Sequence, residues 1–222
     1  MEQIFINNLK HLSSSLKNYV VGFEGNVSSK VGDTFFIKSS GSKLNGISDD
    51  NFVLFDFNGN QLNNFDKKGS MEMEFHKFLL SFDKINYIAH THPINCLKIL
   101  CSNMSEDFVN YRIFPDQVVF NSKKSCLVPY SHPGIRLSKS IETRVNEFIE
   151  KNNFFPKLIL LENHGIIACG ETADECIMIT EICEKSAEIF FSIYDKSPKF
   201  LSQQSVDDLV NDKNEHYRKT FL

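Results

Sequence analysis

Strand-like and helix-like segments are interleaved along this 222-residue chain, and that alternation restricts its fold more than any other feature. Helical spacing of apolar residues or helix-capping signals predict helices over residues 2–19, 71–82, 95–101, 138–151 and 172–194. Short apolar runs predict strands over residues 34–38, 52–56, 85–92, 117–120, 126–128, 157–161 and 165–169. Interleaving of this kind predicts an α/β or α+β fold.

The length and composition favour a single domain over residues 1–222. Apolar residues make up 41% of the chain, which is enough to form a buried core. The net charge is −4 and no block of five or more basic residues occurs, so a nucleic-acid or membrane-surface partner has no electrostatic support. No apolar run approaches the ~18 residues that would cross a bilayer.

The N-terminus and the cysteines predict a cytoplasmic location. The first residues, MEQI, are not a basic segment followed by an apolar core, as a secretory signal would be. The six cysteines include no C-x-x-C pair, which favours reduced, buried thiols over a metal or redox motif.

The sharpest chemical signal is the pair His90-Thr91-His92 at the end of a predicted strand. Residues two apart on a strand point to the same face, roughly 7 Å apart, so both imidazoles can reach one metal ion. Two solvated or core histidines would give the same pattern, and H-x-H alone does not exclude them.

A third histidine strengthens the metal interpretation. His164 directly follows the predicted strand 157–161, and functional groups are commonly exposed where a buried strand ends. Gly165 would permit a sharp turn that swings the imidazole outward. Three histidines with an open position are typical of a catalytic zinc site rather than a structural one.

Two glutamates precede the histidine strand, on the predicted helix 71–82. Glu72 lies four residues before His76 and so shares a helix face with it. A carboxylate beside a metal-bound carbonyl is suited to moving a proton at the adjacent carbon. We assign that role to Glu72, and interpret Glu74 as a solvated residue on the helix surface.

Taken together, these motifs resemble the class II aldolase/adducin family, in its L-fuculose-phosphate aldolase-like branch. The resemblance spans roughly residues 4–195. The segments that carry it, in the family's order, are Gly25-Asn26-Val27-Ser28, Ile37-Lys38-Ser39-Ser40-Gly41, Ser70-Met71-Glu72-x-x-x-His76, His90-Thr91-His92 and Asn163-His164-Gly165. Each is weak alone, but five in order with compatible gaps are specific.

The resemblance implies a three-layer α/β/α sandwich around a mostly antiparallel sheet, and a homotetramer with sites at the subunit interfaces. It also implies that His90, His92 and His164 hold Zn²⁺ or another divalent metal, with Glu72 as the acid–base group. The reaction so implied is aldol cleavage of a ketose or ketose phosphate through a metal-stabilised enediolate.

The family's phosphate pocket is matched here only in part. The matching residues are Asn26, Ser28, Ser40, Gly41 and Ser70. Met71, however, stands where phosphate-binding members carry a second serine. Lys38 or Lys43 could restore positive charge, or the substrate could carry a carboxylate or no anion.

The family also uses a tyrosine, often from a neighbouring subunit, to protonate or orient the aldehyde. Tyr111, nineteen residues beyond His92, is the candidate here, and Tyr217 near the C-terminus is a second. Both are equally compatible with ordinary packing.

Two alternatives to an aldolase stay open at this point. A sugar-phosphate 4-epimerase of the same family would break and remake the same bond, although such epimerases carry Asp where this chain has Glu72. A non-catalytic adducin-like binding module would be expected to lose the metal histidines, and all three are present.

Overall fold

A computed structural model describes residues 2–219 of the chain. Within them, one seven-stranded sheet has the order β3-β2-β1-β4-β7-β6-β5. The strands are β1 (Asn26–Val31), β2 (Thr34–Lys38), β3 (Phe52–Asp56), β4 (Tyr87–Thr91), β5 (Cys126–Val128), β6 (Leu158–Leu161) and β7 (Gly165–Gly170). Neighbouring strands pair antiparallel except β5 and β6, which are parallel. The predicted α/β architecture with a mostly antiparallel sheet is confirmed.

Helices cover both faces of the sheet. They are α1 (Glu2–Leu16), α2 (Met73–Leu80), α3 (Ile94–Leu100), α4 (Ser105–Asn110), α5 (Pro115–Asn121), α6 (Ile135–Asn152), α7 (Ala173–Ile193), α8 (Gln203–Asn211) and α9 (Lys213–Lys219). Helices α1, α3, α4 and α7 share one apolar core with the sheet, while α2 and α6 share the other. The result is three layers, helix–sheet–helix.

A local signal explains where α7 begins. Thr172 caps this helix, because its side-chain oxygen accepts the backbone N–H of Glu175 at 3.0 Å.

None of the helices described between residues 2 and 219 is long and apolar enough to cross a membrane.

The strand predicted over residues 117–120 was wrong, because these residues lie within helix α5. Pro115 occupies the first turn of that helix, where its fixed φ angle and missing N–H are tolerated. Val118, Val119 and Phe120 are buried, and the helix packs against α7. A short apolar run can be a strand or a buried helix, and only the tertiary contacts distinguish the two.

Candidate metal centre and active site

The central strands bring the three predicted histidines together. His90 lies within β4, opposite Ile167 of β7, and His92 is one residue beyond the end of β4. The backbone N–H of His92 donates to Tyr19 O at 2.9 Å, which fixes this end of the strand. His164 lies in the turn between β6 and β7. These three residues form the histidine triad.

Gly165 serves a different purpose from the one expected. The left-handed residue of this turn is Asn163, at φ 54°, whereas Gly165 has no positive φ. A Cβ on Gly165 would lie 2.5 Å from both His92 Cδ2 and Thr91 O. Glycine is therefore required by the close packing of the β6–β7 turn against the end of β4, and this packing brings His92 and His164 together.

The triad has the geometry of a metal site. One ring nitrogen from each histidine lies within 4.8 Å of the other two, and the Nε2 atoms of His90 and His92 are 3.1 Å apart. His90 Nδ1 donates to Ile166 O at 2.9 Å, so its Nε2 carries a lone pair. Two ligands at ~2.0–2.1 Å from a tetrahedral zinc are roughly 3.3 Å apart, close to the separation observed.

All three imidazoles are neutral near pH 7, as metal ligands must be. Burial, followed by the neighbouring His164, lowers the pKa of His90 to about 3. Burial, followed by His90, lowers the pKa of His92 to about 4. The pKa of His164 is also lowered, again chiefly by burial. His164 Nδ1 is buried without a hydrogen-bond partner among residues 2–219. The donor set therefore fits a divalent cation.

Glu72 lies directly beside the triad. It is the residue that precedes the first turn of α2, it is 8% exposed, and its carboxylate faces the histidines. Its Oε2 lies 3.4 Å from His90 Nε2, and its Oε1 lies 3.6 Å from His164 Nε2. A carboxylate in this position can reach a substrate that is held at the triad.

A chain of buried hydrogen bonds holds Glu72 from behind. Glu72 Oε2 accepts Asn26 Nδ2 at 2.7 Å, and Asn26 Oδ1 accepts His76 Nε2. His76 Nδ1 accepts the hydroxyl of Ser28 at 2.6 Å when Nε2 carries the proton. His76 is fully buried, and burial followed by His90 lowers its pKa well below the usual value, so the ring is neutral. We call Ser28, His76, Asn26 and Glu72 the hydrogen-bonded relay.

A cavity of about 220 Å³ opens in front of the triad. The predicted substrate-binding residues Asn26, Ser40, Gly41 and Ser70 line it. Ser28 does not, because it is fully buried and its hydroxyl is engaged by His76. Side chains alternate along β1, so Asn26 and Ser28 share the face that packs against α2. Asn26, at the start of the strand, lines the cavity, whereas Ser28, two residues further along, lies inside the protein.

The cavity also contains a buried cation. Lys38 lines it, is 2% exposed, and donates from Nζ to Ser42 O at 2.6 Å. Burial lowers the pKa of Lys38 to about 8, although Glu72 acts in the opposite direction. Met71 lies at the mouth and is 74% exposed. Lys38 can therefore supply positive charge where the second serine is missing.

The two tyrosine candidates lie away from this cavity. Tyr111 ends α4 and stacks on Phe200, with ring centroids 4.7 Å apart. It is 47% exposed and does not line the cavity of its own chain. Tyr217 lies in α9 and is 65% exposed.

Sequence reasoning missed Glu24, the charged residue of the site that stands beside a triad histidine. Glu24 lines the cavity, and its Oε2 lies 3.4 Å from Nδ1 of His92. Its position next to the Gly25-Asn26 motif was the only sequence signal available. Glu74, in contrast, pairs with Lys77 at 2.8 Å on the surface of α2.

Comparison with known proteins identifies a family that agrees with the geometry of this site. The family described as "Class II Aldolase and Adducin N-terminal domain" matches residues 11–191. An L-fuculose phosphate aldolase of Methanococcus maripaludis is 29% identical over 80% of this chain and 89% of its own length. A 3-oxo-tetronate 4-phosphate decarboxylase of Haemophilus influenzae is 25% identical over 88% of this chain and 90% of its own length.

A solved structure shares the fold. YgbL of Escherichia coli, described as a putative aldolase/epimerase/decarboxylase, superposes with a TM-score of 0.77 at 22% identity, covering 94% of this chain and 98% of its own.

Proposed function

This chain belongs to the class II aldolase and adducin family, and we propose that it is a zinc-dependent lyase that cleaves a carbon–carbon bond of a ketose phosphate or ketose. One observation carries the proposal. Three neutral imidazoles converge within 4.8 Å of one another, directly beside the carboxylate of Glu72. A metal and an acid–base group at the same cavity are what this reaction requires.

We infer that His90, His92 and His164 hold the ion, which supplies Lewis-acid stabilisation of negative charge on substrate oxygens. The chain's own groups do the rest. Glu72 carries a proton to or from the carbon next to the substrate carbonyl. The relay behind it keeps the carboxylate aimed at that carbon, because Asn26 holds Oε2 at 2.7 Å. Positioning of this kind can be worth a factor of ~10² in rate.

The protons are simplest to follow in the direction of bond formation, of which cleavage is the reverse. The carboxylate of Glu72 takes a proton from the carbon next to the carbonyl of the ketone fragment, leaving the enediolate form of that fragment. This carbon then bonds to the carbonyl carbon of the aldehyde as the aldehyde's C=O π bond breaks, and the oxygen of the former aldehyde takes up a proton. Tyr111 or Tyr217 of a neighbouring copy is proposed as the donor of that proton.

We place the substrate anion at the residues that match the family's phosphate pocket. Lys38, Ser40, Gly41 and Ser70 line the same cavity as the triad. Gly41 adopts φ 78°, a conformation that exposes backbone at a tight turn. Lys38 supplies a positive charge at a site that lacks the second serine. This charge favours a phosphate or carboxylate over an uncharged sugar.

A decarboxylase is the second candidate, and the matched length favours it. The H. influenzae decarboxylase matches 88% of this chain, against 80% for the M. maripaludis aldolase. Loss of CO₂ from a 3-oxo acid sends the same electron pair into the same carbonyl and needs the same protonation by Glu72. A 4-epimerase and a non-catalytic adducin-like module are the remaining alternatives.

We also propose a homotetramer with shared sites. Val21, Phe23 and Met71 are 76%, 64% and 74% exposed, and the last two lie at the mouth of the cavity. Apolar side chains around an active-site mouth are typical of surfaces that a second subunit covers. Light scattering that returned a 25.5 kDa monomer at micromolar concentration would contradict this proposal.

The one-domain organisation and the cytoplasmic location are likewise proposals. All seven strands described in residues 2–219 belong to one sheet, which supports a single domain. The cysteines are free thiols, as expected in a reducing compartment.

One screen separates the candidate reactions. Metal content is measured on protein purified without chelators, and the protein is then assayed on ketose phosphates, free ketoses and 3-oxo-tetronate 4-phosphate. Release of dihydroxyacetone or glycolaldehyde, free or as the phosphate, supports the aldolase, and release of CO₂ supports the decarboxylase. Inversion at C4 of a pentulose phosphate identifies the epimerase. Protein that binds no divalent metal, even on reconstitution, would refute the lyase and leave the binding module.

A further inference from the structure

The three histidines differ in what lies behind their metal-facing nitrogens. His90 donates from Nδ1 to a backbone carbonyl, and His164 Nδ1 is buried without a partner among residues 2–219. His92 Nδ1 instead faces the carboxylate of Glu24, with 3.4 Å between the nitrogen and Oε2. The three proposed ligands are therefore held by a carbonyl dipole, by packing and by a negative charge.

We propose that Glu24 is a positioning residue for His92, fixing its tautomer and strengthening its hold on the metal. This inference rests on the metal site proposed above. A carboxylate at Nδ1 keeps the ring proton there and leaves the Nε2 lone pair for the ion. Partners of this kind orient ligands and raise their basicity, and losing one typically weakens metal binding ~10–100-fold.

The loop that carries Glu24 is built to hold the carboxylate in place. The backbone N–H of Glu24 donates to Val21 O at 3.2 Å, and Glu24 Oε2 accepts the N–H of Val21 at 2.8 Å. Backbone and side chain thus close the same turn. The protein's own hydrogen bonds therefore hold the carboxylate in place relative to its backbone, without a metal.

The same loop is fixed against the strand that carries the histidines. Gly25 adopts φ 69°, and a Cβ there would lie 2.6 Å from Val20 Cγ1 and 2.8 Å from His90 O. Only glycine allows this approach. Together with the bond from His92 N to Tyr19 O, it fixes the distance between Glu24 and His92 by backbone contacts on both sides of the turn.

Exposure limits the expected size of the effect. The Glu24 side chain is 44% exposed, so water screens part of its charge. We therefore expect the lower end of the usual range, about a tenfold loss of metal affinity, when the carboxylate is removed. The protein should still fold, because an exposed loop side chain contributes little to the core.

The test compares two substitutions at this position. Glu24→Gln keeps an oxygen for the Val21 N–H but removes the charge, whereas Glu24→Ala removes both. Glu171→Gln is the matched control, because Glu171 is an exposed loop glutamate that follows the far end of β7. The dissociation constant for Zn²⁺ alone is measured for each by competition with a chelating dye.

We expect Glu24→Ala to bind Zn²⁺ about tenfold more weakly than wild type, and Glu24→Gln to lose affinity without a change in the melting temperature of the metal-free protein. The visible absorption of the Co²⁺-substituted protein, which reports the ligand field, should shift in Glu24→Gln and not in Glu171→Gln.

Two results would overturn the assignment of Glu24. One is Zn²⁺ affinity within about twofold of wild type in both Glu24 variants. The other is an equal loss in Glu171→Gln, which would indicate general surface electrostatics rather than contact with His92. Wild-type protein that binds no Zn²⁺ would remove the proposed function as well, so the two failures are distinguishable.

Discussion

The histidine triad and the hydrogen-bonded relay are adjacent clusters of buried polar side chains, yet they differ in how completely they are satisfied. In the relay, Ser28, His76 and Asn26 form a continuous series of hydrogen bonds that ends on Glu72. In the triad, the Nε2 atoms of His90 and His92 lie 3.1 Å apart, and His90 Nε2 is an acceptor because His90 Nδ1 donates to Ile166 O.

The difference indicates what each cluster is for. Buried polar groups that complete one another's hydrogen bonds rigidify a structure without outside help. Converging imidazole nitrogens that can act as acceptors are instead a ligand set for a cation. The relay is thus satisfied by its own hydrogen bonds, whereas the triad presents nitrogens that an ion can bind. Each prediction below would break or sharpen this contrast, beginning with the largest effect.

Removing a triad histidine should abolish both metal binding and activity. In His90→Ala three protein ligands become two, so Zn²⁺ affinity should fall by orders of magnitude and turnover should become undetectable. His11→Ala is the control, because His11 is an exposed histidine paired with Asp174. Elemental analysis and activity are measured on both. A His90→Ala protein that keeps stoichiometric zinc would contradict the assignment of the triad.

Neutralising the end of the relay should separate metal binding from chemistry. Glu72→Gln keeps the shape of the side chain but cannot carry a proton, and general acid–base catalysis typically supplies ~10²–10⁴-fold in rate. Activity should fall by about that factor while the zinc content stays unchanged. Glu74→Gln, on the outer surface of α2, should be nearly silent.

A second readout for Glu72 needs only a ketone fragment. Wild type should exchange a hydrogen next to the carbonyl of dihydroxyacetone phosphate with D₂O, as followed by NMR. If Glu72→Gln exchanged as fast as wild type, the base would have to be another group.

Breaking the relay in its middle should lower both stability and turnover. His76→Leu leaves Asn26 Oδ1 and the Ser28 hydroxyl without their partner, at a cost of ~1–3 kcal/mol each in the free energy of unfolding. Glu72 is then less well aimed, and the rate should fall by up to ~10². The checks are chemical denaturation and kcat. His76→Gln, which can still donate to Asn26, should recover part of kcat, and a kcat equal to that of His76→Leu would argue against positioning.

The smallest predicted effect concerns Lys38. Its ammonium group is less fully hydrogen-bonded than the relay, because it has three donors and Ser42 O accepts only one of them. Its pKa of about 8 makes it cationic below that pH and neutral above. Affinity for inorganic phosphate should therefore fall as pH rises through about 8.

The matching variant is Lys38→Met, which should bind phosphate about tenfold more weakly at pH 7, or ~1.4 kcal/mol, and lose this pH dependence. Calorimetric titration from pH 6.5 to 9 measures both. A wild-type affinity that stayed flat across this range would rule out Lys38 as the anion-binding cation.

Sequence reasoning succeeded where the signal was local or periodic. The interleaving of strands and helices, the strand that carries His90 and the turn that carries His164 follow from hydrophobic period, strand length and capping residues such as Thr172. The three-layer arrangement and the antiparallel sheet came from the family resemblance. It failed at residues 117–120, where an apolar run with no clear period forms a helix because α7 covers it. Propensity could not decide that case, since burial against a neighbour overrides it.

The candidate site divides in the same way. The residue types and their order determined, from the sequence alone, which histidines were candidate ligands and which glutamate was the candidate acid–base group. Only the tertiary structure decided that Ser28 faces His76 rather than the cavity, that Glu24 stands behind His92, and that Gly165 is required by contact with His92. The physical reason is that ligand chemistry resides in single side chains, whereas hydrogen-bond partners and steric limits arise between segments that are distant in the chain.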